Sequence, residues 1–594
     1  MKRLLVFLKD YKKETVLAPL FKLLEACFEL FVPLVIAGII DKGIPGGDTN
    51  YILKMGACLL ALGIVGLISA VTAQYFAARA AVGFATKLRK ALFEHIQGLN
   101  FTNIDKAGTA TLITRMTADV NQCQNGVNMV LRLFLRSPII VFGAMIMAFT
   151  IDVKSALIFV VAIPVLAIVV FGIMVITMPL YRKVQSSLDK VLGTTRENLT
   201  GVRVIRAFHQ EKREEEQFRK QNDVLADAQM HVSKISACMN PITYVVVNAA
   251  VIALIYTGAI QVNIGNLSQG DVVAILNYMS QILVELVKLA NLIVLVTKAA
   301  ASADRVASVF EITNAPIPAG KSRETSEGNV PFLEFDHVFL TYEGAGDGTL
   351  QDMHFTVEKG ETVGIIGGTG SGKSSLVNLI PGFYPVTEGA IRLNGVDIKE
   401  IEEDTLREQI GVVPQKAVLF KGTIRSNLQW GKWDATEEEM WQAIDLAQAR
   451  EVVEGKEGKL DAEVAQNGKN FSGGQRQRLT IARALVRKPE ILILDDSASA
   501  LDYATEAKLR KAIRSLDGSM TTFIVSQRAS SIMHADKIIV LDDGEIAGLG
   551  THEELLKSCE VYQEIYYSQY PEEKPSGKNN ATQALAMEGG AANV

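Results

Sequence analysis

Six long apolar segments lie in the first half of the chain. A helix needs about 20 apolar residues to cross the hydrocarbon core of a bilayer. Three segments contain no acidic or basic residue: Met55–Ala78, Ser155–Tyr181 and Ile235–Gly270. Three others carry a few charges: Leu17–Ile40 with Glu25 and Glu29, Gly126–Ile151 with Arg132 and Arg136, and Asp271–Thr297 with Glu285 and Lys288. The pattern predicts six membrane spans.

The charges between these segments predict an orientation. Lys and Arg are concentrated in the N-terminus, in Arg79–Asn125 and in Arg182–Lys234, whereas the other connections are short and nearly free of them. Basic residues favour the cytoplasmic side, so we expect a cell-membrane protein with both termini in the cytoplasm. The first residues, MKRLLVFLKDYKKE, lack the long apolar run and cleavage site of a signal peptide. They predict a short amphipathic helix on the cytoplasmic face.

The second half of the chain has a different periodicity. From about residue 332, apolar strand-like runs alternate with helical patterns, which is typical of an α/β domain. Phe310–Pro331 is rich in Pro, Gly, Ser and charge and is interpreted as a linker. We therefore expect an α-helical six-span transmembrane domain over residues 1–310, a linker over 311–331, an α/β domain over 332–570 and a disordered tail over 571–594.

Composition agrees with a membrane part joined to a soluble part. Of the 594 residues 48% are hydrophobic, and the mean hydropathy is +0.20. The net charge of −5 argues against a nucleic-acid partner, whose binding surface is usually basic. The five cysteines are scattered without metal-ligand spacing, which favours small core residues in a reducing compartment.

A phosphate-binding pattern opens the α/β domain. In ETVGIIGGTGSGKSSLVNLI an apolar strand leads into a glycine-rich loop and then a helix, which makes this a P-loop domain. The glycines let backbone N–H groups approach phosphates, Lys373 reaches the β and γ oxygens, and Ser374 ligates Mg²⁺. The predicted ATP-binding residues are Gly367, Gly368, Thr369, Gly370, Ser371, Gly372, Lys373, Ser374 and Ser375.

A second apolar run ends in two carboxylates. Ile491–Leu494 fits a buried parallel strand, and Asp495 at its end is predicted to hold Mg²⁺ through water beside the phosphates. For these residues alone, a solvated Asp-Asp turn after a core strand remains an alternative.

The segment FSGGQRQR, Phe471–Arg478, resembles the signature motif of ABC transporters and precedes the Asp495 strand as in that family. Tyr342 resembles the aromatic residue that stacks on adenine, and Ser499–Asp502 resembles the D-loop. Gln415 resembles the Q-loop residue that senses the γ-phosphate and joins Ser374 and Asp495 at the Mg²⁺. The resemblance also assigns nucleotide contacts to the signature residues Ser472, Gly473, Gly474 and Gln475.

The resemblance extends through the membrane half, up to about Tyr570. Arg196–Phe208 looks like the second intracellular loop of ABC exporters, which docks into a nucleotide-binding domain, and Phe101–Val120 resembles the first. Within this resemblance, the fused domain order implies a multidrug-type exporter half, and we expect it to export amphipathic small molecules, such as drugs, across the cell membrane. The alternatives are a lipid or peptide exporter half, and a regulatory ATP-binding, channel-like subunit that does not pump. The absence of an N-terminal peptidase domain argues against export of peptides with a leader.

Two positions depart from the family pattern. Asp496 stands where the family has a catalytic Glu, and Gln527 stands where it has the switch His. A general base must lie within hydrogen-bond reach of its water, and an Asp carboxylate falls about 1–1.5 Å short of a Glu one. Gln527 still donates a hydrogen bond but never becomes cationic. With Gln415 these residues form the predicted catalytic set of a site that binds Mg-ATP and hydrolyses it slowly.

The intact signature implies a role in a partner's site. ABC domains pair head to tail, with each ATP between one P-loop and the other subunit's signature. The pattern resembles the degenerate-site subunit of heterodimeric bacterial multidrug exporters, so a second ABC half-transporter is expected. The alternative is a homodimer in which Asp496 suffices or both sites are slow.

The charged residues inside the spans are candidates for function. Glu285 and Lys288 are spaced to pair on one helical face. Glu25 and Glu29 line a water-filled cavity suited to cations, pair between helices, or lie exposed at the membrane boundary. Arg132 and Arg136 are expected to meet headgroups or coupling elements near the cytoplasmic end of their helix.

Overall fold

The computed structural model describes residues 2–314, 330–342, 348–516 and 520–574, with side chains from residue 4 onward. It divides into two compact units. The first comprises Met1–Leu99 and Ala107–Thr313, and the second comprises Asn100–Lys106 and Asn314–Val594. Most of the predicted linker, residues 315–329, lies outside the described residues.

The first unit is helical. Within the described residues, six helices are long and apolar enough to cross a membrane, as predicted. These spans 1 to 6 cover Leu4–Gly43, Thr49–Gln97, Thr109–Ile151, Val153–Thr200, Glu211–Asn263 and Gln269–Phe310. Each has 40–53 residues. At a rise of 1.5 Å per residue this gives about 60–80 Å, so the helices extend well beyond a hydrocarbon core of about 30 Å.

Spans 1, 3 and 5 consist of several helical segments, and spans 2, 4 and 6 of one α-helix each. In chain order the α-helices α1 to α11 are Lys12–Gly38, Thr49–Gln97, Phe101–Ala107, Thr109–Thr114, Val120–Leu133, Arg136–Ile151, Val153–Thr200, Val202–Ala207, Glu211–Ala237, Met239–Asn263 and Gln269–Phe310. The predicted N-terminal helix is a 3-10 helix, Lys2–Tyr11, that runs directly into α1. Two π-helical turns, Ile39–Gly43 and Arg115–Asp119, complete spans 1 and 3.

Polar caps explain where three spans begin. The Asp48 carboxylate accepts hydrogen bonds from the first N–H groups of α2, and Asp152 does the same for α7. Ser268 and Asp271 form a reciprocal capping box at the start of α11. Such caps satisfy backbone donors that have no partner inside the helix. They lie in the short connections that the sequence places between apolar segments.

Span 3 is interrupted inside its apolar stretch. Helix α5 ends at Leu133 and α6 begins at Arg136, two residues before Pro138. Proline is tolerated in the first turn of a helix but not in its interior, which explains why a new helix starts here. The sequence stretch Gly126–Ile151 did not predict this break.

The second unit contains two main sheets. Strands β1 to β12 are Leu333–Leu340, Leu350–Val357, Thr362–Gly367, Glu388–Leu393, Val396–Asp397, Ile410–Val413, Gly422–Thr423, Glu463–Val464, Ile491–Asp495, Thr521–Val525, Lys537–Asp542 and Glu545–Gly550. A six-stranded sheet has the order β12-β11-β3-β10-β9-β6 and is parallel apart from β12. An antiparallel sheet has the order β2-β1-β4-β5, and β7 pairs with β8.

Helices cover these sheets. Helices α12 to α21 are Lys373–Leu379, Glu403–Glu408, Ile424–Gln429, Glu437–Leu446, Arg450–Glu454, Gly473–Leu485, Tyr503–Arg514, Ala529–Ile532, His552–Ser558 and Glu560–Gln569. Short 3-10 turns lie at Ile398–Glu400, Lys459–Asp461, Gln466–Gly468 and Pro571–Glu573. One apolar core lies between the two sheets and includes the fully buried Phe335 and Phe523. The architecture confirms the predicted six-span helical domain followed by an α/β P-loop domain.

The start of the predicted tail is ordered. Pro571–Glu573 forms a 3-10 turn, and the Tyr566 hydroxyl donates a hydrogen bond of 2.5 Å to Glu573. The expectation of disorder from residue 571 is therefore wrong for these residues. Residues 575–594 lie outside the described part of the chain.

Parallel strand register brings three chain segments to one edge of the large sheet. Val525 of β10 pairs with Ile365 of β3 on one side and with Asp495 of β9 on the other. The loops that follow these strands therefore lie side by side. Ligand sites of open α/β sheets are found at this carboxyl edge.

Candidate nucleotide-binding site

The glycine-rich loop connects β3 to α12 in a conformation that requires glycine. Gly372 has φ +91°, and a Cβ there would lie 2.6 Å from the Leu350 side chain. At Gly367 a Cβ would lie 2.1 Å from the Leu541 carbonyl oxygen. The loop is thus pressed against β2 and β11, and its backbone is available to approach a ligand closely.

Lys373 is folded into this loop. Its Nζ donates to the carbonyl oxygens of Gly367 and Gly368, at 3.0 and 2.5 Å, and to the Ser371 hydroxyl at 3.3 Å. Burial lowers the pKa of this ammonium group, and the nearby Asp496 and Asp495 partly offset that effect. A cation held among carbonyls and carboxylates is well placed to bind phosphate oxygens.

Asp495 and Ser374 meet at the end of β9. The Ser374 hydroxyl donates to Asp495 Oδ1 at 3.0 Å, and Asp495 is 8% exposed. Burial raises the pKa of Asp495 and the neighbouring Asp496 adds to this rise, while the Ser374 hydrogen bond and the Lys373 charge oppose it. A buried carboxylate beside a hydroxyl is the oxygen-donor pair that Mg²⁺ prefers, so these residues fit that ion.

Asp496 has a different environment from its neighbour. It is partly exposed, and its φ of +44° lies in the left-handed region, which Asp tolerates better than most residues. The Gln415 Nε2 donates to its Oδ2 at 3.4 Å, and the Asp496 N–H donates to the Val525 carbonyl oxygen at 3.0 Å. The predicted base and the Q-loop amide are therefore adjacent.

One cavity of about 250 Å³ joins most of the predicted residues. From the predicted set it is lined by Thr369, Gly370, Gly372, Lys373, Ser374, Ser375, Gln415, Asp495, Asp496 and Gln527. It is also lined by Thr349, Val525 and Ser526, which sequence reasoning missed. Val525 ends the run TTFIV, and Ser526 follows it directly before the predicted residue Gln527. Their position next to Gln527 could have identified them as lining residues. Thr349 precedes β2 and carried no comparable signal.

Tyr342 lies beside the P-loop helix rather than in the lining of this cavity. Its hydroxyl donates to the Ser375 hydroxyl at 3.1 Å, and its ring meets Tyr384 edge to face with centroids 5.1 Å apart. Tyr384 was not singled out from the sequence. The described residues therefore place an aromatic pair next to the loop.

The signature residues form a separate surface. Ser472 caps α17 and forms a capping box with Gln475, while a Cβ added at Gly473 would meet no atom within 4 Å. Ser472 and Gly473 are exposed, and none of Ser472, Gly473, Gly474 and Gln475 is among the described residues that line the cavity. An exposed helix N-terminus favours an anionic ligand. Among the described residues, this helix N-terminus does not share the cavity of the chain's own P-loop.

Part of the predicted first intracellular loop belongs to the second unit. Asp105 accepts a 2.7 Å hydrogen bond from the Tyr384 hydroxyl. Burial is the larger cause of a raised pKa at Tyr384, and this hydrogen bond raises the pKa further. The ring of Phe101 lies 4.5 Å from that of Phe383. The Asn314 side chain accepts from the Asn100 N–H at 2.9 Å. The segment Asn100–Lys106 is thus held next to Tyr384, the partner of Tyr342.

The predicted second intracellular loop carries exposed apolar side chains. It surrounds α8 in the first unit, and none of the residues of α8 is buried. Leu199 and Phe208 are each 72% exposed, and Val204 is 60% exposed. Large apolar side chains clustered in this way mark an interaction surface.

Most of the charges inside the spans pair with each other, whereas the buried Nε of Arg132 has no hydrogen-bond partner among the described residues. The Arg136 guanidinium, 8% exposed, donates to Glu285 at 2.6 Å and to Glu29 at 2.7 Å. Lys288 donates to Glu285 at 2.8 Å, as predicted, and Lys22 donates to Glu25 at 2.5 Å. The expectation that Arg136 meets headgroups is wrong, because a buried guanidinium requires carboxylate partners. Glu29 pairs between helices, which was one of the three alternatives.

Comparison with known families places both halves of the chain. A family model described as the ABC transporter transmembrane region matches residues 15–286, and one described as ABC transporter matches residues 350–499. The solved structure of a bacterial Atm1-family ABC exporter with ATP bound superposes with a TM-score of 0.78 at 24% identity. The match covers 96% of this chain and 99% of that one. At that identity the likeness establishes the fold.

Curated relatives match over nearly the full length. An uncharacterized ABC transporter ATP-binding protein of Mycobacterium tuberculosis is 36% identical over 95% of this chain and 97% of its own. A Bacillus subtilis protein described as a candidate multidrug export ATP-binding/permease protein is 34% identical over 95% and 98%. An ATP-dependent lipid A-core flippase of Hahella chejuensis is 31% identical over 95% and 99%.

Proposed function

The chain belongs to the ABC transporter family and is a multi-pass membrane protein, and we propose that it is one half of an ATP-driven exporter of amphipathic small molecules. The observation that carries the proposal is the cavity that joins the P-loop, Asp495 and Gln415 at the end of the large sheet. The relatives named for multidrug export and lipid flipping support an amphipathic substrate. In this proposal both termini and the nucleotide-binding domain lie in the cytoplasm.

In the proposed site, the loop backbone and Lys373 bind the phosphates of ATP. Ser374 and Asp495 hold Mg²⁺, with Gln415 at the same side of the cavity. When bound, the ion neutralises charge on the phosphate oxygens. Tyr342 stacks on the adenine, held by Ser375 and Tyr384. The domain boundaries at 310, 331 and 570 are part of the same proposal.

We propose further that this site hydrolyses ATP slowly. Apart from Asp495, Asp496 is the only carboxylate among the described residues that line the cavity. Because its side chain is shorter than that of Glu, it holds the attacking water poorly. The hydrogen bond from the Gln415 amide to Asp496 is long, at 3.4 Å, so it orients the Asp496 carboxylate only loosely. Gln527, which lines the same cavity, supplies a donor without a positive charge.

The partner in this proposal is a second ABC half-transporter with an intact catalytic Glu. Ser472, Gly473, Gly474 and Gln475 form an exposed helix N-terminus that suits the γ-phosphate of a nucleotide held by another chain. The exposed apolar side chains around α8 offer a docking surface for that partner's nucleotide-binding domain. The chain would therefore complete an active site whose P-loop it does not own.

Steady-state ATP hydrolysis by purified protein tests this proposal. The chain is purified alone and with candidate partner half-transporters, and each preparation is compared before and after Asp496→Asn. We expect an active pair whose rate changes less than about twofold in this variant, while the partner's Glu→Gln change abolishes turnover. Brisk hydrolysis by the chain alone that is lost in Asp496→Asn would identify a homodimeric pump instead.

Transport by the active pair tests the substrate class. In proteoliposomes, ATP-dependent movement of a fluorescent amphipathic cation is compared with flipping of a fluorescent phospholipid. Movement of the cation, with vanadate sensitivity, supports the proposal. Flipping of the lipid alone assigns the pair to lipid export, and ATP binding without movement of either contradicts export.

A further inference from the structure

Two consecutive irregularities distort the pairing of β1 with β2. Phe335 pairs with Phe355 and Val338 pairs with Met353, so Asp336 and His337 together oppose the single residue His354. The next register pair is Leu340 with Leu350. Phe339 therefore opposes both Gln351 and Asp352. A bulge of this kind re-aims side chains out of the regular alternation of a strand.

The two bulges place non-glycine residues in the left-handed region. His337 has φ +47° and Asp352 has φ +48°. Residues in this region are uncommon and are held there by surrounding structure, and such strain concentrates at functional sites. Here the two bulges bring the side chains of His337 and Asp352, on neighbouring strands, into direct contact.

The result is a compact cluster of metal-ligating groups. One ligand atom each of Asp336, His337 and His354 lies within 4.8 Å of the others. The two imidazole rings are nearly parallel, with centroids 4.6 Å apart, and both are exposed. Ligand atoms around a tetrahedral zinc ion with bonds of about 2.0–2.1 Å lie about 3.4 Å apart. Small side-chain rotations would shorten the separations between the ligand atoms, which are within 4.8 Å, to the value found around zinc.

Asp352 orients one of the ligands. Its Oδ1 is 2.5 Å from His337 Nδ1, and because a carboxylate only accepts, Nδ1 carries the proton and Nε2 is the ring nitrogen left to bind a metal ion. Metal-binding histidines commonly use their second ring nitrogen in this way, with a carboxylate that fixes the tautomer. Asp336 uses Oδ2 to accept a 3.0 Å hydrogen bond from Arg392, which leaves Oδ1 as a donor atom for a metal ion.

We propose that Asp336, His337 and His354 form a zinc-class divalent metal site, with Asp352 as the residue that orients His337. Two imidazoles and one carboxylate match the three-ligand zinc sites in which water fills a fourth position. Mg²⁺ prefers six oxygen ligands, so the Mg²⁺ of the nucleotide site does not compete here. The site is independent of the proposed export function, because it involves neither the P-loop nor the signature.

Isothermal titration of the detergent-purified full chain with ZnCl₂ tests the proposal, in a background where the five cysteines are replaced by Ala or Ser. We expect one Zn²⁺ bound per chain, and a Co²⁺ complex with the visible bands of tetrahedral nitrogen and oxygen ligation. His337→Asn combined with His354→Gln should abolish binding, since neither amide is a good zinc ligand. Asn also tolerates a positive φ, so the fold is retained.

Two further variants sharpen the result. Asp352→Asn should weaken zinc binding about 10- to 100-fold without abolishing it, as expected for loss of an orienting carboxylate. His534→Ala is the matched control, since it removes an exposed histidine of the same unit outside the cluster and should leave binding unchanged. Mg-ATP binding by each variant verifies the fold. Zinc binding that survives the double variant, or no binding by the parent protein, overturns the proposal.

Discussion

At the scale of single residues, two adjacent carboxylates have distinct properties. Asp495 is buried beside Ser374, whereas Asp496 is partly exposed in a left-handed conformation next to Gln415. The strand geometry accounts for this difference, since β9 ends at Asp495 and the chain turns at Asp496. The first is suited to a metal ion and the second to a water molecule.

Lengthening Asp496 should therefore increase hydrolysis at this site. Asp496→Glu combined with Gln527→His adds the missing methylene and an ionisable partner. We expect ATP turnover to rise, by about a hundredfold at most, because a 1 Å improvement in position has effects of that size. The measurement uses the pair in which the partner's Glu is already replaced by Gln. Asp496→Asn with Gln527→His is the control, and equal rates in both variants would contradict a base at residue 496.

At the scale of elements, an ionic network connects spans 1, 3 and 6 at the break between α5 and α6. Glu285 of α11 accepts hydrogen bonds from Arg136 and from the Ser137 hydroxyl, at 2.6 and 2.8 Å. Both donors lie in the first turn of α6. A carboxylate near a helix N-terminus is favoured by the helix dipole. The network therefore stabilises the start of α6 as well as the contacts between spans.

Removing the charge of Glu285 should destabilise the first unit. In Glu285→Gln the buried Arg136 loses its shortest ion pair, and breaking a buried pair costs about 3–5 kcal/mol. Thermal unfolding in detergent, followed by intrinsic fluorescence, should show a clearly lowered midpoint. Lys288→Gln is the matched control, since Lys288 is 42% exposed and contacts the same carboxylate. A larger drop of the unfolding midpoint in Lys288→Gln than in Glu285→Gln would show that burial does not govern the strength of the network.

At the scale of the whole molecule, the chain separates its P-loop from its signature. The loop lines a cavity of its own unit, whereas the N-terminus of α17 is exposed at Ser472 and Gly473. The proposed pairing of two half-transporters uses both surfaces. It assigns the slow site to this chain's Lys373 and the fast site to this chain's signature.

This asymmetry predicts effects of different size for two changes in one chain. Gly473→Asp should lower the ATPase rate of the pair at least tenfold, because its carboxylate would face the γ-phosphate held by the partner. The space around Gly473 is open and a carboxylate suits a helix N-terminus, so the chain itself should fold normally. Lys373→Ala should have a smaller effect on the rate, and Gly473→Ala controls for added volume. Steady-state ATPase assays of the three variant pairs measure these effects. A larger loss of ATPase rate in Lys373→Ala than in Gly473→Asp would contradict the assignment of the slow site to this chain's P-loop.

Short-range patterns in the sequence determined much of this picture. The six spans follow from contiguous apolar length, because the backbone of a helix satisfies its own hydrogen bonds in lipid. The residues of the P-loop are consecutive, and their chemistry can be read without knowledge of distant contacts. The pair Glu285 and Lys288 was predicted for the same reason, since the two residues are one helical turn apart.

Other features depend on packing between distant segments, and the tertiary structure alone decided them. Arg136 meets Glu285 across 149 residues and Glu29 across 107. Tyr384 contacts Asp105 although 279 residues separate them. His337 and His354 lie together because two bulges shift the register of β1 against β2, and a shift of one residue exchanges the faces on which side chains lie. Sequence periodicity predicts which elements form, but the partner of a side chain across two elements depends on their register and packing.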